Sequence, residues 1–393
     1  MATSGDLSRT SYRGGLRLAA ALVLVCLLAA SCQSSPAGGH KAPSDAEANG
    51  ARQMWCKAKP DGAWKKVLNR DPVALSRYVS VVPIALADDG RSFFASIWSK
   101  RYSGLVRIDA GRSRYTKIKR YRDPVNDQAS GSFDGRWLVW TEYHSLYDPS
   151  DFDVWSWDSR TGRLRQIGAA ARSSGGKFWP SSWRAAVALD GYATWEQGSG
   201  PDSLGDIHVV DLESGRGRIA RHGHPVGSFL VAGPLVVWPE SMKRGALTVM
   251  RAADAKTGRP VSTPLALRRV RGGLEPATNG EAVVYATDDW RSLWWSPSLK
   301  TAPRRVFSSR AGEPMENSVR VNDRYVSFAV WPRIYLADAS VGRYLQINSP
   351  GGGVFLGKTN LLLGKQSAEK AIHPISETFF TRLKSLPPIP PCE

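Results

Sequence analysis

Carboxylates recur along this chain at one position of a repeated unit: Glu142, Glu196, Glu240, and the pair Asp288 and Asp289. Gathered at one mouth, such groups bind a cation, a basic peptide or a sugar. Left at strand ends, they solvate those ends and pair with the many Arg. Separation in space is not readable from spacing along the chain, so no pair is assigned to acid–base work and no residue to catalysis. Trp179, Trp183, Trp290 and Trp331 fall in or beside loops and are candidates for ligand contact. The stretch "GGVFLGKT" fits G-x-x-x-x-G-K-[ST] through Gly352, Gly357, Lys358 and Thr359. A phosphate loop of that pattern follows a buried strand and opens a helix. Here Val354, Phe355 and Leu356 fill the loop, and Gly364 ends "NLLLGK" after one turn. The match is therefore read as chance, and the segment as two strands joined by a turn, with no nucleotide. C-x-x-C, H-E-x-x-H and G-x-S-x-G are missing. His222 and His224 of "HGH" supply two ligands where a metal site needs three or four. No metal and no cofactor is expected.

The elements that must position these residues come from an internal repeat, the first thing to seek in a long chain. Its clearest copy is "FDGRWLVWTE" followed by "DVWSWDSRTGRLRQI": turn, apolar strand, loop, alternating strand, polar turn, alternating strand. Period-2 alternation bounded by Gly and Asp is the hairpin signal. Copies start at turn positions Gly90, Gly135, Gly191, Gly233, Gly280 and Asp323, roughly 42 to 56 residues apart. Such spacing with short strands predicts an all-β fold, a β-propeller of four-stranded blades. Seven blades are expected, six with an irregular tail being the alternative. "GGVFLGKTNLLLG" repeats the rhythm of "GSFLVAGPLVVW" and supplies the seventh. Closure is expected from strands of both chain ends, with Ala63–Asn69 as the outer strand of the last blade. Trp140, Trp238, Tyr285 and Phe328 lie five residues after a turn position, and Trp195 four. That register reads as packing between neighbouring blades rather than as a ligand stripe.

The repeat endings "VWSWDSRTG" and "VVDLESG" resemble those of TolB-type propellers, over most of residues 75–348. The resemblance implies architecture. It carries no activity, because propellers host binding and catalysis alike.

The N-terminus reads differently. Arg9, Arg13 and Arg17 precede the apolar run from Leu18 to Ala30, which falls short of the ~20 residues of a spanning helix and describes an export signal. "LLAASC" resembles the lipobox of bacterial lipoproteins. That likeness implies cleavage after Ser31 and a lipidated Cys32, hence a membrane anchor; an ordinary secretory peptide is the alternative. Residues 1–31 are then a lipoprotein signal, 32–53 a Ser-, Ala-, Gly- and Pro-rich tether, and 54–393 the propeller. Exported chains meet oxidising conditions, so the remaining Cys56 and Cys392 are expected to form a disulfide, two free thiols being the alternative. The net charge of +18 falls to +16 once residues 1–31, with three Arg and one Asp, are removed. The Arg are spread over all repeats, a general surface charge that suits anionic surroundings. Nucleic acid is not expected. The sequence reads as a monomeric, extracytoplasmic, lipid-anchored binding or scaffold module for a protein, peptide or anionic cell-wall polymer. A glycan or peptide hydrolase or lyase is the alternative.

Overall fold

In the computed structural model the repeats fold into seven sheets, antiparallel but for one edge pairing, that close a ring, a seven-bladed β-propeller. The structure describes residues 54–393 except 70–72, 74–79, 201–203, 226–228, 242–247, 269–275, 287–290, 310–314, 316–318, 331–332, 349–353 and 367–374. The expected leader with Ser31, the tether with Cys32, and Asp288, Asp289, Trp290, Trp331 and Gly352 lie outside the described residues.

The blades span residues 80–120, 128–169, 187–225, 230–261, 277–308, 320–348 and 354–382, each running from an inner to an outer strand in chain order. The second strands of blades 1, 2, 5 and 6 are buried along almost their whole length. In Trp137–Tyr143 every residue is buried, because a blade interior faces a neighbouring blade on either side. The third strand, Phe152–Asp158, alternates buried with half-buried positions, as a strand nearer the rim should. The predicted turn positions all join first to second strands, and Gly191, at φ 80°, adopts the left-handed backbone that glycine favours.

The core is divided among seven apolar clusters, one at each blade interface. Phe94 and Ile84 of blade 1 meet Leu138 and Trp140 of blade 2. Val139 and Val154 meet Trp195 and Ala193 of blade 3. The series continues around the ring until Leu362 of blade 7 packs on Phe93 and Val106 of blade 1. The aromatics at the repeated register are buried at these interfaces: Trp140 and Phe328 fully, Trp195, Tyr285 and Trp238 nearly so.

Both chain ends contribute to closure, but not as expected. Ala63–Asn69 forms no outer strand; Gly62–Leu68 is a helix. Asp61 caps it by accepting from the Trp64 N–H at 2.9 Å. Ala63, Trp64, Val67 and Leu68 make one apolar face at i, i+1, i+4, i+5, a helical rather than an alternating pattern. Trp64 is fully buried at the interface of blades 6 and 7 and donates its indole N–H to the Pro388 carbonyl at 2.9 Å. The N-terminal strand is Cys56–Lys57, which pairs in parallel with Arg343–Asn348 as the fifth strand of blade 6. Blades 1 to 5 have four strands, and blade 7 has three among the described residues. The backbone N–H of Val73 bonds Thr378 O at 2.7 Å, so the early chain does reach the outer edge of blade 7. Cys56 and Cys392 are joined by a disulfide, their Cα atoms 5.7 Å apart and 336 positions apart in sequence.

Candidate functional site

Strand direction sorts the connections onto two faces. The turns at Gly90, Gly135 and Gly191 lie on one, here the turn face; loops 144–151 and 170–186 lie on the other, the loop face. Glu142 ends the second strand of blade 2 on the loop face, with His144 two positions on. Period-2 geometry places both on one side of the strand. Asp153 stands opposite Glu142 in the ladder, and Asp127 closes the loop that feeds the inner strand.

These side chains form one network. Lys119, from the outer strand of blade 1, donates to Glu142 Oε1 and Oε2 at 2.6 and 2.9 Å. Its ammonium also sits 4.6 Å above the Trp155 ring, itself stacked on Trp140. His144 Nδ1 lies 2.9 Å from Asp127 Oδ1, and Nε2 lies 3.3 Å from Asp153 Oδ2. Asp127 Oδ2 accepts the Asp123 N–H at 2.9 Å. Asp127 and Glu142 are each 1% exposed, so their charges must be met inside the protein.

The electrostatics follow from that packing. The hydrogen bonds to Asp127 and then Asp153 raise His144 to about 10, against the opposing effect of burial. It is therefore an imidazolium clamped between two carboxylates. Burial pushes Asp127 up, but the His144 hydrogen bond and the Asp123 N–H outweigh it and leave the carboxyl below its ordinary value. Burial dominates at Glu142 and raises it, with Lys119 offsetting part of the shift. Tyr121, wholly buried with its hydroxyl on Ser96, is raised by burial as well.

Asp127, Glu142 and His144 bring ligand atoms within 4.8 Å of one another, near enough for one metal ion. Their present partners argue for an internal ion network instead. Both His144 nitrogens already face carboxylates, and the Lys119 ammonium supplies the positive charge beside Glu142. A metal would have to displace both cations.

The other expected carboxylates are engaged too. Glu196, 4% exposed in blade 3, accepts from Ser182 Oγ at 2.9 Å. Glu240 of blade 4 accepts from Arg221 at 2.9 Å and Arg251 at 2.8 Å. Glu142 and Glu196 are brought together indirectly: the Tyr143 hydroxyl donates to Ser182 O, one residue from Trp183. Trp183 packs on Tyr143 with ring centroids 4.9 Å apart and stays 45% exposed. Trp179 is half-buried at the base of a small hairpin in loop 170–186, where Trp179 N bonds Ala171 O and Ser173 N bonds Lys177 O. Gly198 lies so near the Pro180 carbonyl that no Cβ would fit, which fixes this loop against blade 3.

Lys358 and Thr359 of the phosphate-loop match lie on the opposite, turn face. Lys358 Nζ is 3.9 Å from Asp88, and Thr359 Oγ1 donates to Asp88 O at 3.2 Å. With Gly357, which packs on Leu86, they join blade 7 to blade 1. His222 of "HGH" lies 3.3 Å from Asp206. Reading the sequence for clusters passed over Lys119, Asp127, His144 and Asp153. The one local signal was Glu-Tyr-His at the end of a strand, a spacing that puts Glu142 and His144 on one side.

No family model matches this sequence, and no curated protein matches it. Solved structures do. The β-propeller domain of the Trilobed protease from Pyrococcus furiosus superposes with a TM-score of 0.52 at 10% identity, covering 78% of this chain and 94% of that one. Acylaminoacyl peptidase from Pyrococcus horikoshii gives a TM-score of 0.50 at 9% identity, with 79% and 52% covered. TolB from Acinetobacter baumannii is similar at 15% identity and a TM-score of 0.38, covering 58% of this chain. The chain spans about half of TolB, 54% of its length. At these identities the likeness concerns the fold, and the fold is a β-propeller.

Proposed function

We propose that this protein is an exported, membrane-anchored lipoprotein whose propeller holds an envelope ligand at its loop face without turning it over. One observation carries the binding reading. Each described carboxylate that the repeat sets at that face already has a partner: Glu142 has Lys119, Glu240 has two Arg, and Glu196 has Ser182. His144, the obvious acid–base group, is held protonated between two carboxylates. A general base works best with a pKa near the working pH and a free lone pair; His144 has neither. Rigid, charge-balanced loops on a ring of packed blades suit recognition. The signal and lipobox-like "LLAASC" support the location. Incubating the purified full chain with envelope glycans and with a peptide library, then following retention and product by mass spectrometry, tests the reading. Retention without new reducing ends, unsaturated sugars or cleaved peptides is the expected result. Multiple turnovers of any polymer would instead establish the hydrolase or lyase.

A further inference from the structure

Building on that binding reading, we infer that the loop-face rim of blades 1 to 3 is a site for an acidic glycan, a polymer of sugar rings bearing carboxylate or phosphate groups. Three exposed apolar side chains stand in three successive loops there: Val125 at 61%, Tyr147 at 81% and Trp183 at 45% exposure. The loops are tied to one another. Asp127, two residues from Val125, bonds His144, which opens the loop of Tyr147. Trp183 rests on Tyr143, next to His144. The three side chains thus stand along the rim on loops that one network ties together.

Around the row the charge is positive. Arg101, Arg120, Arg122, Arg172 and Lys177 are exposed on the same loops and strand ends. Arg120 reaches the Arg101 carbonyl at 3.4 Å, which joins the first two of them. Among the described residues the acids that reach the surface of this rim are Asp123, which caps Val125 and Asn126, with Asp148, Asp151, Asp153 and Asp206; counting exposed Lys100 with the five basic side chains, they are outnumbered five to six. The same loops carry the hydroxyl groups of Ser145, Ser150, Ser173, Ser174 and Ser181, beside the half-buried Leu146, Phe178 and Trp179. A stable protein interface buries about 800 Å² per partner around a more apolar centre, with charge mostly at its edge. Exposed apolar side chains standing one to a loop, with hydroxyls and guanidinium groups on the same loops, match a different ligand. Sugar rings present apolar faces to aromatic side chains and hydroxyls at their edges, and acidic substituents pair with Arg in bidentate fashion.

A lipid surface would also attract exposed aromatics beside basic residues. The vesicle arm of the test below separates the two. Cys56–Lys57 runs parallel to Arg343–Asn348, and Cys56 N bonds Gly342 O at 3.0 Å, so the chain joins the propeller on the turn face. The rim lies on the opposite face.

The test measures binding of the detergent-purified full chain to a hexameric uronate oligosaccharide, its carboxyl-reduced neutral form, a phosphorylated oligosaccharide, and anionic phospholipid vesicles. The uronate or the phosphorylated oligomer should bind, more weakly as salt rises, and which of them binds identifies the acidic group. The neutral form should bind at least about tenfold more weakly. Tyr147→Ala with Trp183→Ala should weaken binding by about tenfold, the loss of about 1.4 kcal/mol of ring contact. Arg120→Gln with Arg122→Gln should flatten the salt dependence. All of these side chains are at the surface, and an unchanged melting temperature confirms folding. Equal binding of acidic and neutral oligomers, or vesicle binding that exceeds both, overturns the proposal. If neither acidic oligomer binds while a cell-envelope extract is still retained, the glycan inference fails and the binding reading survives. Turnover of any polymer removes the binding reading itself.

Discussion

At the scale of single residues, the ion network of blade 2 makes stability depend on pH. His144 titrates near 10 when folded and near 6.5 when unfolded. A raised value means that its stabilisation is complete below pH 6.5 and fades as pH rises through 10. Urea midpoints of the native protein should therefore fall between pH 6.5 and 10, and His144→Gln should remove most of that slope; an unchanged slope would show that the imidazolium is not clamped. Glu142 and Lys119 call for a different comparison. Removing one partner strands a buried charge and should cost about 3 kcal/mol or more. Lys119→Met with Glu142→Leu should recover much of that loss in a double-mutant cycle, because an apolar pair of similar volume tolerates the same surroundings.

Individual elements show which features can be read along a chain. The second strands were legible because burial on both sides demands a run such as "WLVW", and because glycine marks the turn before it. The Gly-Lys-Thr stretch was legible as a turn between strands for the same reason. The helix Gly62–Leu68 was not, since two turns of Ala, Trp, Lys and Val also fit a short strand until the Asp61 cap is taken into account. The ion network was the least legible: Lys119 reaches Glu142 across 23 positions and a blade boundary, and no local pattern encodes that contact. Three substitutions probe the elements. Trp64→Ala should cost about 3–5 kcal/mol, because it opens a cavity between blades 6 and 7. Asp61→Ala should cost about 1 kcal/mol through the lost cap, and chemical denaturation separates the two. Gly168→Ala belongs with them: its Cβ would press on the Trp195 ring, so tryptophan fluorescence should report disturbed packing between blades 2 and 3.

The whole molecule is a ring in which each blade depends on two neighbours, and its ends meet on blade 6. The Cys56–Cys392 bond restrains nearly the entire unfolded chain, so chain-entropy reasoning assigns it roughly 4–5 kcal/mol. Replacing both cysteines by Ser should lower the melting temperature by about 6 °C; an unchanged melting temperature would mean that blade contacts alone hold the ends. The same bond has a consequence for surviving proteolysis. A single cut anywhere between Cys56 and Cys392 cannot divide the protein, because the two pieces remain joined through sulfur. A chain nicked at the exposed hairpin tip near Gly175 would run as two fragments on a reducing gel and as one full-mass species without reductant. Such a molecule can be damaged and still stay in one piece.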